Sequence, residues 1–258
     1  MDYTKLGESL VKLFLGENNL EEIKYKLEIV PSVSERKYQL RPNDDILNYN
    51  NNSIGSMVLP DPPDGNYYIL ISNNLTRPWH SDKYEFFETL IHEVVHLHDY
   101  IDYANRYCDN NYLDIVKHCR WLYLYFHSEY RAKRNGLIYY YKIQDIKVIP
   151  EKTVEEKYNL AFYTLTRYLI SSQPKSPEVI DFCYQLFRFL GKLSAFETSF
   201  PDKFPKERIY KDFNKYNLTS LKKFYESLDF LDSFRCGVDD AVKIIDSIIG
   251  EFEIRFKH

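Results

Sequence analysis

His92-Glu93-Val94-Val95-His96 constrains this chain more than any other stretch. It reads H-E-x-x-H and sits in a pattern that predicts a helix from about 82 to about 104. Residues four apart share a helix face, so His92 and His96 can offer two imidazole nitrogens to one metal ion. Glu93 follows the first donor directly and reaches the rim of the same site without binding the metal. That position suits a general base acting on water held by the metal. Two imidazoles, a carboxylate and an open position make a known catalytic zinc set, so Zn2+ is the expected cofactor. Leu90, Ile91, Val94, Val95 and Leu97 surround the motif and supply an apolar face. A helix carrying two merely structural histidines is the plainer reading of the same residues.

The run Tyr67-Tyr68-Ile69-Leu70-Ile71 lies upstream of the motif, in a strand expected over Tyr67 to Ser72. With it, the motif resembles the zincin metallopeptidases over roughly residues 21 to 149. The resemblance implies an α+β fold: a zincin-like core, with a small sheet and the H-E-x-x-H helix, followed by a mostly helical C-terminal region. It also implies that the strand before the motif is an edge strand running alongside a bound peptide. In the gluzincin branch a Glu on a later helix completes the metal site, with a small residue three positions on. Glu129 with Ala132 looks like that pattern, so the implied ligands are His92, His96 and Glu129. The longer metzincin motif fails here, because Asp102, Tyr103 and Asn105 supply no third histidine.

By helical spacing Glu129 shares a stripe with Tyr125, Leu122, His118 and Ile115, and a carboxylate on such a face needs a partner. A tight hairpin centred near Cys108 would set it about 10 Å past the motif at 1.5 Å per residue, an offset that the loop or crossing angle must absorb. Asp99 and His118 are alternative ligands. Asp99 is better read as orienting an imidazole or pairing with Arg131, and His118 as a satisfied core histidine. His98 is off the His92/His96 face, and His80 and His127 read as ordinary polar residues.

Along the chain, Leu6, Leu10, Leu13 and Phe14 predict a helix over 3–15, stopped by Gly16 and Asn18-Asn19. Ile23, Tyr25, Leu27 and Ile29 alternate with charged residues and predict a strand closed by Pro31. Residues 32–53 read as mostly loop, with a short strand or turn at Tyr38-Gln39-Leu40. Met57-Val58-Leu59 reads as a short strand and Pro60 to Gly65 as a turn. Ser81 or Asp82 is the expected cap of the motif helix. A second helix is expected over 112–135, stopped by Gly136, with 137–149 undecided between strand and helix. Pro150 marks the expected boundary between a metallopeptidase domain at 1–150 and a helical region at 151–258. Helices are expected there at 152–171, 177–193, 205–216, 218–235 and 238–256.

Composition narrows the remainder. A net charge of −4 offers no electrostatic case for nucleic acid. No apolar stretch nears the ~20 residues of a membrane span, and the first residues do not form a signal peptide. Cys108, Cys119, Cys183 and Cys236 form no C-x-x-C pair, so free thiols and a cytoplasmic protein are expected. The 24 Tyr and 17 Phe are most simply core filling. The leading expectation is a zinc metallopeptidase acting on a peptide or protein, with Glu93 as its catalytic base. A non-catalytic zincin-fold interaction protein is the alternative, and a hydrolase of non-peptide amides a third.

Overall fold

Residues 2–20, 22–42, 53–60, 65–144, 149–171, 179–219 and 221–228, with 243, 246 and 247, are described by the computed structural model. Chain contacts separate two units, Met1–Cys119 and Arg120–His258. The first carries α1 (Tyr3–Glu17), β1 (Tyr25–Val30), α2 (Val33–Leu40), β2 (Gly55–Val58), β3 (Tyr67–Ser72) and α3 (Glu85–Tyr107). The second carries α4 (Trp121–Ile143), α5 (Glu151–Ser171), α6 (Val179–Ser199), α7 (Lys206–Lys215) and α8 (Leu221–Leu228). The fold is α+β: a small mixed sheet near the N-terminus, then a helical C-terminal region. Pro150, the boundary expected from the sequence, falls between α4 and α5.

In the first unit the sheet order is β1-β3-β2. β1 runs parallel to β3, with Leu27 opposite Ile69, and β2 runs antiparallel to it, with Met57 opposite Ile69. Ile69, Leu70 and Ile71 are fully buried, as befits a strand covered on both faces. The strand before the motif is therefore central. The expectation that it is the edge beside a bound peptide fails, because β1 and β2 occupy both of its sides. α1 buries Gly7, Leu10, Val11 and Phe14, whereas Leu6 and Leu13 of its expected face are 42% and 48% exposed. α3 buries Phe86, Leu90, Ile91, Val94, Val95 and Leu97.

Other local expectations are corrected by chemistry within the chain. α2 stands where loop was expected: the Ser32 side chain caps it by accepting the Glu35 N–H, 3.2 Å. Arg36 then donates from Nε to Glu28 of β1, 2.7 Å, and this bond holds the Glu28 carboxyl below its usual range. α3 begins later than expected, at Glu85, and has no side-chain cap. Asp82 Oδ1 instead accepts the Tyr84 N–H just ahead of the helix, 3.1 Å. After α3, Asp109 and Asn110 adopt φ of 47° and 62°. A 3₁₀ turn at Tyr112–Lys117 follows, so α4 starts only at Trp121. The tight hairpin assumed for placing Glu129 does not exist, and Ile115 and His118 are not on the helix that carries Glu129. Gly136 does not stop α4. An interior glycine costs roughly 1 kcal/mol, which burial of Tyr139, Tyr140 and Tyr141 beyond it outweighs.

The second unit is built on aromatic packing. Phe126 of α4 stacks on Phe187 of α6 with centroids 5.6 Å apart, and Tyr158 of α5 stacks on Phe204 at 4.2 Å. The helices expected at 152–171, 177–193 and 205–216 correspond to α5, α6 and α7, with α6 running on to Ser199. α8 covers part of the one expected at 218–235, and most of 238–256 lies outside the described residues. α4 and α6 meet closely at Gly191, where a Cβ would lie 2.5 Å from the Tyr130 carbonyl oxygen and 3.3 Å from the Arg134 nitrogen. Both neighbours are backbone, so relief requires the helices to part. Gly191→Ala is expected to lower stability by about 1–3 kcal/mol, as overpacking of a close contact does, read as a lower midpoint in urea unfolding. An unchanged midpoint would mean that α4 and α6 are not held at this spacing.

Candidate metal centre

α3 carries the motif, and its geometry follows from helix period. His92 and His96 lie one turn apart, and their Nε2 atoms are 3.0 Å from each other. The rings meet edge to face, with centroids 4.6 Å apart and planes at 84°. His96 is buried and His92 half-buried. A shared ion at ~2.1 Å from each nitrogen, in tetrahedral geometry, asks for a nitrogen separation of about 3.4 Å. The pair therefore needs to open by only a few tenths of an ångström.

Glu93 is buried, at 8% exposure. Its Oε2 accepts the backbone N–H of Met57, 2.9 Å. Strand register explains why that amide is available. Ser72 donates to the Ile54 carbonyl at 2.8 Å. In an antiparallel pair bonded positions alternate, so Ile54, Ser56 and Val58 turn their backbone groups to β3, while Gly55 and Met57 turn theirs outward. β2 is thus the sheet edge beside α3, and Met57 points its N–H at the motif helix. Gly55 permits the approach: a Cβ there would lie 2.5 Å from Thr89 Cγ2 and 2.9 Å from Glu93 Oε1. Sequence reasoning did not associate Gly55 and Met57 with the motif. The available signal was a lone glycine entering a short strand, which often marks a close backbone approach.

Glu129 lies on α4, in the second unit, and is buried at 6% exposure. Burial pushes its carboxyl up to about 7, against the opposing pull of Arg188 and then Lys133. A carboxylate in such surroundings is costly to ionise, and a cation removes that cost. In donor chemistry His92, His96 and Glu129 are a group that could hold a metal ion.

Other sequence candidates have different surroundings. Asp99 is buried on α3. His118 ends the 3₁₀ turn, and its Nδ1 is hydrogen-bonded to the Tyr103 hydroxyl at 2.5 Å, as a satisfied histidine would be. His98 is half-buried. His80 pairs with Glu85 at 2.9 Å. His127, read from the sequence as ordinary, is buried at 4% exposure. Cys108, Cys119 and Cys183 are free thiols, and Cys236 lies outside the described residues. Among the described residues no helix is long and apolar enough to cross a membrane.

Compared with protein-family models, with curated proteins and with solved structures, the chain finds no match.

The raised Glu129 carboxyl has a measurable consequence. Its proton is held more tightly in the folded chain, near 7, than in the unfolded chain, near 4.5. This contribution is present at low pH and is lost as pH rises through that interval, by roughly 3 kcal/mol in all. In the presence of a chelator, urea unfolding of wild type should lose about that much more stability between pH 5 and pH 8 than Glu129→Gln. Parallel pH dependences in the two proteins would contradict the assignment.

Proposed function

We propose that this chain is a zinc-dependent, zincin-like metallopeptidase in which His92, His96 and Glu129 hold the metal and Glu93 is the general base. The main support is the convergence of His92 and His96 Nε2, 3.0 Å apart, on the same helix that buries Glu93. The buried Glu129 carboxyl is the third donor in this reading, which matches the gluzincin-like ligand set. A peptide or protein is the substrate, and a reducing cytoplasmic setting fits the free thiols.

When bound, zinc supplies a Lewis acid that makes water acidic near neutral pH and polarises a carbonyl. The chain's own contribution is proton handling and placement. His92 and His96 donate through Nε2, and the helix fixes their separation. The Glu93 carboxylate takes a proton from the attacking water and passes it to the leaving nitrogen. The water oxygen adds to the carbonyl carbon, the C–N bond breaks, and a carboxylate and an amine result. Burial keeps Glu93 out of bulk water, where its interactions would be screened.

Purified wild type is expected to hold one equivalent of zinc by metal analysis, with His92→Ala and Glu129→Ala holding none. Glu93→Gln should keep the zinc and lose peptide hydrolysis by at least about 100-fold, the usual scale for removing an acid–base group. Undiminished turnover in Glu93→Gln would reject the mechanism. Zinc in wild type without hydrolysis of any peptide would favour the interaction-protein reading, with a structural metal.

A further inference from the structure

We infer that the edge strand β2 is a positioning element for the general base: the Met57 amide fixes the Glu93 carboxylate, and Gly55 provides the space in which it sits. The inference rests on the role proposed above for Glu93.

Three observations converge on it. Met57 N–H donates to Glu93 Oε2 at 2.9 Å, a contact between residues 36 positions apart. The register of β2 on β3 turns this amide away from the sheet, so serving Glu93 costs no ladder bond. Gly55, two residues earlier and also turned outward, lies so close to α3 that a Cβ would approach Glu93 Oε1 to 2.9 Å and Glu93 Cγ to 3.1 Å. A side chain at Gly55 would displace Glu93, and loss of the Met57 N–H would untie it. Thr89, one helical turn before Glu93, closes the other side of the gap, with its Cγ2 2.5 Å from the same Cβ position.

The arrangement has a chemical use. A carboxylate acting as a base must present one oxygen to its proton donor, and an undirected side chain visits several rotamers. A backbone N–H is a rigid donor, and a charge-assisted bond from it holds one oxygen in place. Oε2 is tied to Met57, and Oε1 lies toward Gly55, 2.9 Å from where a Cβ there would stand, so both oxygens of the base are set by β2. Neither Met57 nor Gly55 touches reacting atoms in this account; both act through Glu93. The same assignment constrains substrate binding, because the Met57 N–H serves Glu93 and cannot pair with an extended peptide laid along β2.

Two variants and one spectrum test the inference on the full-length chain. Met57→Pro removes the N–H at a position that makes no ladder bond, and its ring then stands against Glu93 in place of that bond. Gly55→Ala keeps the N–H and fills the space. Both should retain one zinc per chain and near wild-type KM, while kcat falls by roughly 10–100-fold, as loss of a supporting hydrogen bond does. Independently of turnover, the Met57 amide resonance should shift in Glu93→Gln, while those of Ser56 and Val58, bonded to β3, stay in place. An unmoved Met57 resonance, or wild-type kcat in both folded variants, overturns the inference. If wild type hydrolyses no peptide, the catalytic reading fails and this positioning role with it. A Met57 resonance that still responds would then leave only a structural contact.

Discussion

Everything near the motif depends on α3 satisfying opposed demands on one helix. Its apolar residues must be buried against the sheet and α1, and Leu90, Ile91 and Val95 are completely so. The same helix carries Glu93, His96 and Asp99 into low-dielectric surroundings, where unpaired polar groups are costly. The chain meets the cost locally where the sheet edge reaches the helix, through the Met57 amide. It meets it between His92 and His96 by setting their nitrogens 3.0 Å apart. Burying so much polar chemistry in a stable helix is itself an argument for function, since apolar residues would pack there at lower cost.

Much of this was legible in the sequence, for reasons of period. The H-E-x-x-H spacing forces two histidines onto one helix face, and the alternation around Lys24, Lys26 and Glu28 marks a half-buried strand. The run at 67–72 matched β3 residue for residue. What escaped depended on short elements and on contacts between distant residues. Ser32 and Glu35 start α2 with a cap signal that lies inside an otherwise polar stretch. Met57-Val58-Leu59 reads as a short strand and β2 takes in its first two residues, but so short a run does not say which strand it pairs with, and β2 displaces β3 from the edge of the sheet. Helix α4 passes through Gly136 because the tyrosines that follow are buried, a tertiary effect that propensity cannot anticipate.

The candidate site divides along the same line. Residue identities at His92, Glu93 and His96 follow from one local motif. Glu129 came from a weak pattern, E-x-x-A, and from the reasoning that an acidic residue on an apolar stripe needs a partner. Its burial agrees with that reasoning, although two members of the supposed stripe, Ile115 and His118, belong to the preceding 3₁₀ turn and its end. Gly55 and Met57 were invisible as site residues because their importance lies in where the backbone passes. A lone glycine and a main-chain N–H carry no signature until the strand is laid against the helix.

The most direct measurement is an anomalous difference map at the zinc absorption edge, from crystals of the full-length chain grown with zinc. One strong peak is expected at about 2.0–2.2 Å from His92 Nε2, His96 Nε2 and a Glu129 carboxylate oxygen, with Glu93 outside bonding distance. A peak elsewhere, such as the His80–Glu85 pair, or zinc held by the two histidines without Glu129, would contradict it.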